Sequence, residues 1–396
     1  MAATSSSDAY ILTVNAGSSS VKLSLFAAHD VRQNVWEAAV ENIGSPTAQL
    51  IVLGSANPAN VGNHLGAATL LMERLSTEVA ASAISAVGHR IVHGGPTYYE
   101  AQLASDEVLR SLQQLVAFDP LHLPIELELV TVFRRLTPQA QQVLCFDTAF
   151  HHDLPRRAQL LPIPRHLQAE GVRRYGFHGL SYAYILEELR RVEGEAAASG
   201  KVIVAHLGSG ASLAALQNAK PIDTTMSMTP ASGVPMSTRS GDLDPGLALY
   251  LAHMHGYEAK RFNQMVNFES GLLGISETTA DMKQLLEIEA EDPRAKDAVD
   301  IFCYQVKKTI GSFAAALGGL NTLVFTGGMG ENAPKIRARV CEGLEFLGIT
   351  LDATRNQERE RLISVNGAGV GVHVIHTDEA VTMARETEQL IQKSNA

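Results

Sequence analysis

The chain has 396 residues, of which 45% are hydrophobic and 19% charged, and a formal net charge of −10. That length is long for one hydrophobic core and predicts two domains of an ordinary globular protein. The negative balance argues against a nucleic-acid surface, so an anionic substrate would have to be met by local cations.

Ile11–Val14 is apolar and β-prone, and Val21, Leu23 and Leu25 alternate with Lys22 and Ser24. The pattern predicts a β-hairpin whose tip is Asn15-Ala16-Gly17-Ser18-Ser19-Ser20. Gly17 lets backbone N–H groups approach an anion, the serines add hydroxyl donors, and Lys22 brings a mobile positive charge. Asn15 could hold a metal ion or its water shell. A solvated surface turn is the alternative for such a tip taken alone. A second copy favours phosphate: Lys201–Leu216 again runs an apolar strand into Gly208-Ser209-Gly210 and out into another strand. Two such hairpins half a chain apart predict a duplicated domain holding a nucleotide.

Strands are expected around Val35–Val40 and Gln49–Leu53, a loop over Ala56–Gly62, and a helix over His64–Ala83. Ala86–Val92 reads as a short buried strand carrying Arg90, either an anion site or one half of a structural ion pair. Helices follow near Asp106–Phe118 and Leu123–Arg135, then a strand over Gln142–Phe150. It places Asp147 where α/β sheets usually put ligands. His151 and His152 read as a capped loop rather than a metal pair. Pro155, Pro162 and Pro164 open the second half. His178 lies between Phe177 and Gly179 ahead of a helix through Arg190, and is expected to face a cleft.

The run from Pro221 to Gly246 is rich in Gly, Ser, Thr and Asp, lacks periodicity, and carries Arg239 as a second candidate anion clamp, or as a plain surface arginine. Gly271–Lys283 is expected to be a small-residue loop, and Asp297–Leu317 a long amphipathic helix. Strand Leu323–Thr326 opens into a glycine loop, Gly327–Asn332, with Pro334 in the first turn of the next helix. That is an arrangement suited to nucleotide phosphates or ribose. Strand Val372–Ile375 precedes a last helix, Glu379–Lys393, whose Glu379 is a candidate cation ligand or a dipole-complementing charge.

The three cysteines, Cys145, Cys303 and Cys341, are scattered and lack metal-ligand spacing, which predicts a reduced, cytoplasmic setting. Residues 1–9 have no basic region or apolar core, so no secretory signal is expected, and no apolar run approaches the ~20 residues that cross a bilayer.

Together, Asn15–Ser20, Gly88-His89-Arg90, Phe146–His151, Tyr175–Gly179, Thr238–Asp242 and Gly330-Glu331-Asn332 resemble the acetate kinase family, from about Ile11 to about Glu388. That family lies in the wider class of acetate and sugar kinases, Hsp70-type chaperones and actin. The resemblance implies an α/β fold of two duplicated ribonuclease-H-like domains with the active site in the cleft. The first domain would cover 1–150, completed by the C-terminal helix 380–396, and the nucleotide-binding domain 151–379. It implies transfer of the ATP γ-phosphoryl group to acetate, with Mg2+ or Mn2+, in a homodimer. Asn15 and Glu379 match the metal positions, Lys22 a nucleotide contact, Arg90 the substrate contact and Asp147 the recorded acid/base. His178 and Arg239 match the transition-state stabilisers. His206-Leu207-Gly208-Ser209-Gly210, Asp281-Met282-Lys283 and Gly328-Met329-Gly330-Glu331-Asn332 match the nucleotide segments. Val92, Leu121, Phe177 and Pro230 match the acyl pocket.

There are departures: Ser209 stands where Asn is usual, Leu123 replaces Asn, Leu180 and Tyr182 replace Thr and His, Met282-Lys283 replaces Phe-Arg, and Met329 replaces Ile. Propionate or butyrate kinases, a sugar kinase and a chaperone-like ATPase are the rival readings. A carboxylate substrate is already ionised at neutral pH and needs no base. Asp147 is therefore expected to orient an arginine or a metal-bound water rather than to abstract a proton.

Overall fold

A computed structural model describes residues 9–395. The chain divides into two compact units, Met1–Phe150 with Asp378–Ala396, and His151–Thr377. Each is built on one sheet.

The first sheet contains, among the described residues, β1 (Tyr10–Ala16), β2 (Val21–Ala27), β3 (Asp30–Glu41), β4 (Gln49–Val52), β5 (Ser55–Pro58), β6 (Ile84–Ile91), β7 (Gln102–Leu103) and β8 (Gln141–Phe146). Their order is β5-β4-β3-β2-β1-β6-β8-β7. The second contains β9 (Lys201–Leu207), β10 (Ala211–Gln217), β11 (Lys220–Thr224), β12 (Thr322–Thr326) and β13 (Gly371–Val374), in the order β11-β10-β9-β12-β13. The segment β3-β2-β1-β6-β8 matches that second sheet strand for strand. In both, a three-stranded antiparallel meander is extended by two parallel strands. This is the ribonuclease-H-like wiring, present twice.

The central strands are buried on both faces because helices cover both. On one face, Leu12, Val14, Leu23 and Leu25 pack with Ala67, Leu71 and Leu75 of helix His64–Leu75 and with Leu129 and Phe133 of helix Leu123–Leu136. The opposite face carries the last helix, Glu379–Asn395, laid over β1, β6 and β8. Gly88 permits that approach, since a methyl group there would overlap the Thr387 hydroxyl and lie 3.4 Å from the Met383 carbonyl. In the second unit, helix Pro293–Leu317 packs on β9 and β10 and buries Val299, Phe302, Val306, Ile310 and Phe313. The Asp292 side chain caps its N-terminus and Gly318 ends it.

Several local expectations are corrected. The loop at 56–62 begins as β5, an exposed edge strand that tolerates Pro58. Leu53 and Gly54, both at positive φ, form the hairpin turn that starts it. The helix over 64–83 stops at Leu75, after which a turn and a 3-10 segment, Ala81–Ala83, lead into β6. The strand over 142–150 ends at Phe146 and gives way to a 3-10 turn at Ala149–His151. The loop at 271–283 contains helix Gly271–Ser276, anchored by buried Leu272, and the start of helix Met282–Ile288. Asp281 caps the latter through the Lys283 N–H at 2.7 Å. Gly327–Asn332 is a short helix rather than a loop. Glu331 reaches back one turn and accepts the Gly327 N–H at 2.9 Å.

No helix among the described residues is long and apolar enough to cross a membrane.

The Gly88 contact is testable. Gly88→Ala should lower unfolding stability by ~1–3 kcal/mol through overpacking, and Thr387→Ala should restore part of that loss in the double variant. A wild-type urea midpoint for Gly88→Ala would show that the helix does not sit this close.

Candidate functional site

In the first unit the expected residues gather at the carboxyl ends of β1, β6 and β8. β1 delivers Asn15, paired across the hairpin with Lys22. The tip closes through the Gly17 N–H on the Ser20 carbonyl at 2.9 Å. β6 delivers Arg90, whose guanidinium is ion-paired with Asp147, just past the end of β8. Its Nη1 lies 3.4 Å from both Asn15 Oδ1 and the Ala16 carbonyl, and its Nε lies 3.9 Å from Glu379 Oε2. Asn15 Nδ2 donates to the same Glu379 oxygen at 2.9 Å. Asp147 is fully buried, and its Oδ1 has no hydrogen-bond partner.

Charge dominates this cluster. Burial pulls the Arg90 guanidinium down, but Asp147, Glu379 and Glu126 outweigh burial and hold it above its ordinary value. Burial pushes the Glu379 carboxyl up, against the pull of Arg90. Of the two readings of Arg90, the ion pair is what is found, at the end of a strand. Lys22 is exposed, 3.9 Å from Glu37. Val92 is buried beyond β6 and Leu121 is half-buried.

In the second unit, His178 stands in the left-handed region (φ 57°) ahead of helix Gly179–Glu193. Its Nδ1 shares a hydrogen bond with Ser212 Oγ at 2.9 Å, and Ser212 is also bound by the Tyr182 hydroxyl at 2.5 Å. The His178 ring stacks on His206 at 4.3 Å between centroids. A Cβ on Gly210 would lie 3.3 Å from His178 Nε2 and 3.4 Å from Arg239 Nη2, so the second tip sits against both side chains. Arg239 Nη1 donates to the Pro230 carbonyl at 2.9 Å. Phe177 is buried and Pro230 half-buried. His151 is buried, its Nε2 3.0 Å from the Phe177 carbonyl.

A cavity of about 960 Å³ brings together Gly208, Ser209, Asp281, Met282, Lys283, Gly328, Met329 and Asn332, with Arg359 also in its lining. These come from the three expected nucleotide segments. Gly327 allows the last of them close to the second tip, since a Cβ there would lie 2.9 Å from the Leu207 backbone. The remaining members of these segments do not line the cavity. Leu207 is buried, His206 holds Ser181 at 2.9 Å, and Glu331 is tied to Gly327 and to His376 Nδ1 at 2.6 Å. Burial opposes the Glu331 charge, but His376 and the Thr377 and Gly327 amides outweigh it and bring its carboxyl below the usual range. A second cavity, about 720 Å³, lies beside Asp223, Glu269 and Lys308 and collects none of the expected residues.

Three participants gave no sequence signal that separates them from ordinary residues. His64 Nε2 lies 2.8 Å from the Gly17 carbonyl and braces the first tip. Glu126, in the first turn of its helix, is 3% exposed and accepts the Val92 N–H at 2.9 Å. Arg337 is fully buried, with no carboxylate on it among the described residues. Its fork donates to the Gly330 and Glu331 carbonyls at 2.8 and 2.9 Å and to both oxygens of Asn356 at 2.8 Å. Burial, with Arg359 nearby, brings it down to about 10.

The comparisons with known proteins agree in coverage. The model of the Acetokinase family matches residues 10–385. An acetate kinase from Rhodopseudomonas palustris (strain TIE-1) is 40% identical, covering 96% of this chain and 98% of its own. A propionate kinase from Escherichia fergusonii is 38% identical, covering 96% of each. The crystal structure of a propionate kinase from Francisella tularensis superposes with a TM-score of 0.90 at 34% identity, over 96% of this chain and 99% of that one.

Arg337 stabilises the carboxyl end of helix Gly327–Asn332, which lines the larger cavity. Arg337→Leu would strand four buried acceptors and should cost about 3 kcal/mol or more. Arg337→Lys, which keeps the charge without the fork, should fall between. Urea unfolding reads both, and wild-type stability for Arg337→Leu would overturn the assignment.

Proposed function

Because this chain belongs to the acetokinase family, we propose that it transfers the γ-phosphoryl group of ATP reversibly to acetate, giving acetyl phosphate and ADP. The observation that carries the reading is Arg90: a guanidinium at a strand end, locked by Asp147, beside buried Val92. Such a fork suits a carboxylate and a phosphoryl group alike.

The acid binds as its anion, through Arg90, with its methyl group toward Val92, Leu121, Phe177 and Pro230. The nucleotide is held by Lys22 and by the residues of the 960 Å³ cavity. A carboxylate oxygen attacks the γ-phosphorus, the bond to the bridging oxygen breaks, and its electron pair leaves on ADP. Arg239 and His178 neutralise charge on the transferring group, and removal of one such donor typically costs ~100- to 1000-fold in rate. The nucleophile carries no proton to remove, so Asp147 fixes Arg90 in place. The buried ion pair supports that role over the recorded acid/base one.

Asn15 and Glu379 would hold the divalent cation, Mg2+ or Mn2+. Among the described residues no group of three or more His, Cys, Asp or Glu could hold a metal ion. An amide and a carboxylate fit a hard cation that takes its other ligands from phosphate and water. When bound, the ion supplies charge neutralisation at the phosphoryl oxygens.

Propionate is the second reading, favoured by the 38% identical propionate kinase. One methylene is worth only ~1–3 kcal/mol in such a pocket. We also propose a homodimer, supported by Leu249, Tyr250 and Met254, which leave 63%, 55% and 66% of their surface exposed on one helix. A light-scattering mass of one chain would overturn it.

Trapping acyl phosphate with hydroxylamine, using acetate, propionate and butyrate in turn, should give the highest turnover with acetate. ATP hydrolysis without any acyl phosphate would sink the proposal in favour of a chaperone-like ATPase. With acetate, Asp147→Asn should lower kcat at every pH without changing the shape of the profile. Loss of an acid limb present in the wild type would restore the base role.

A further inference from the structure

An acidic residue in the first turn of a helix ordinarily complements the dipole from solvent. Glu126 does not. It is 3% exposed and turned inward, its Oε2 accepts the Val92 N–H at 2.9 Å, and its Oε1 has no hydrogen-bond partner. Val92 lies two residues beyond Arg90, so one carboxyl touches the backbone of the expected acyl pocket and bears on the charge of the expected acid-binding arginine. Three carboxyls act on Arg90: Asp147 in its ion pair, Glu379 at 3.9 Å and Glu126. With all three ionised, the cluster carries a net charge of about −2 before an anionic substrate arrives, a poor field for a carboxylate.

We propose that Glu126 is a positioning residue that sets the affinity for the carboxylic acid substrate: neutral, it holds Val92 and leaves the Arg90 charge to the substrate; ionised, it competes with the substrate for that charge. The proposal rests on the reading that Arg90 binds the acid.

The charged groups that act on Glu126 come from three sides. Arg90 lies on β6, Asp147 follows β8, and Asp119 precedes its own helix, bound there by His122 at 3.0 Å. Glu379, on the C-terminal helix, acts on the same Arg90. Burial raises the Glu126 carboxyl to about 8, against the lowering effects of Arg90 and of the Val92 amide. The sign follows. Below that value the carboxyl is neutral and acid binding is strongest, and affinity is lost as pH rises through it. The acid is ionised and Arg90 charged throughout this range, so neither supplies the change. Glu386 is also raised, to about 7, but its neighbours are Cys145 and Asp147. The Glu126 variants separate the two groups.

The test is the KM for acetate, or for whichever short acid turns over best, from pH 6.5 to 9.5 at constant ionic strength and saturating nucleotide. The wild-type KM should rise at least about fivefold between pH 7 and 9, while the KM for ATP stays level. Glu126→Gln should abolish that rise. Glu126→Leu should abolish it too, but with a higher KM at every pH because Val92 loses its acceptor. A rise in Glu126→Gln parallel to the wild type would overturn the proposal. So would a level wild-type KM, which reads the outcome even if the variants fail to fold. Absence of acyl phosphate with any acid is a different failure, that of the functional reading itself.

Discussion

The first unit depends on holding one guanidinium in a crowd of carboxyls. Arg90 reaches its place because β6 is a central strand with helices on both faces, so its last residues are shielded from water. A buried cation is tolerated only when paired, and Asp147 and Glu379 arrive from separate elements to meet that need, with Glu126 bearing on the same charge. Arg90 therefore ties the ends of β6 and β8 to the C-terminal helix. The same crowding leaves polar atoms incompletely satisfied, among them Asp147 Oδ1 and Glu126 Oε1. Unsatisfied buried groups are costly, and their concentration at one strand end marks the place where stability has yielded to function.

The second unit solves a different problem with the same wiring. Its hairpin tip is pressed against His178 and Arg239 rather than ringed by acids, and its cavity mixes glycines with long side chains such as Met282, Lys283 and Met329. Three segments distant in sequence meet there. Glycine at 327 allows a strand to turn at once into a helix beside Leu207, and Arg337 secures the far end of that helix by binding its carbonyls. One copy of the ancestral plan is electrostatically dense, the other sterically open.

The larger architecture was legible because it rests on strong local signals. Two apolar-strand, Gly/Ser-tip, apolar-strand patterns announced the duplication, and an arginine inside a buried strand announced the first cluster. Asp147 followed from its position at a strand end. What escaped depended on partners far away in sequence. Glu126 and Arg337 drew no reading of their own, since nothing local distinguishes a charge that turns inward. His64 read as the first residue of a helix and gave no hint of the Gly17 carbonyl it meets. Helix Gly327–Asn332 was hidden by its own glycines, because the Glu331 carboxylate that stabilises its start lies a turn further on.

The first unit is discontinuous, and that matters during synthesis. Residues up to Phe150 leave the ribosome long before Asp378. Until then β1, β6 and β8 lack the helix that covers one of their faces, and Arg90 lacks Glu379. The uninterrupted second unit can fold as it emerges, while the first remains an apolar sheet awaiting its lid. In such a chain the amino-terminal unit is the last to be completed, the reverse of the usual vectorial order.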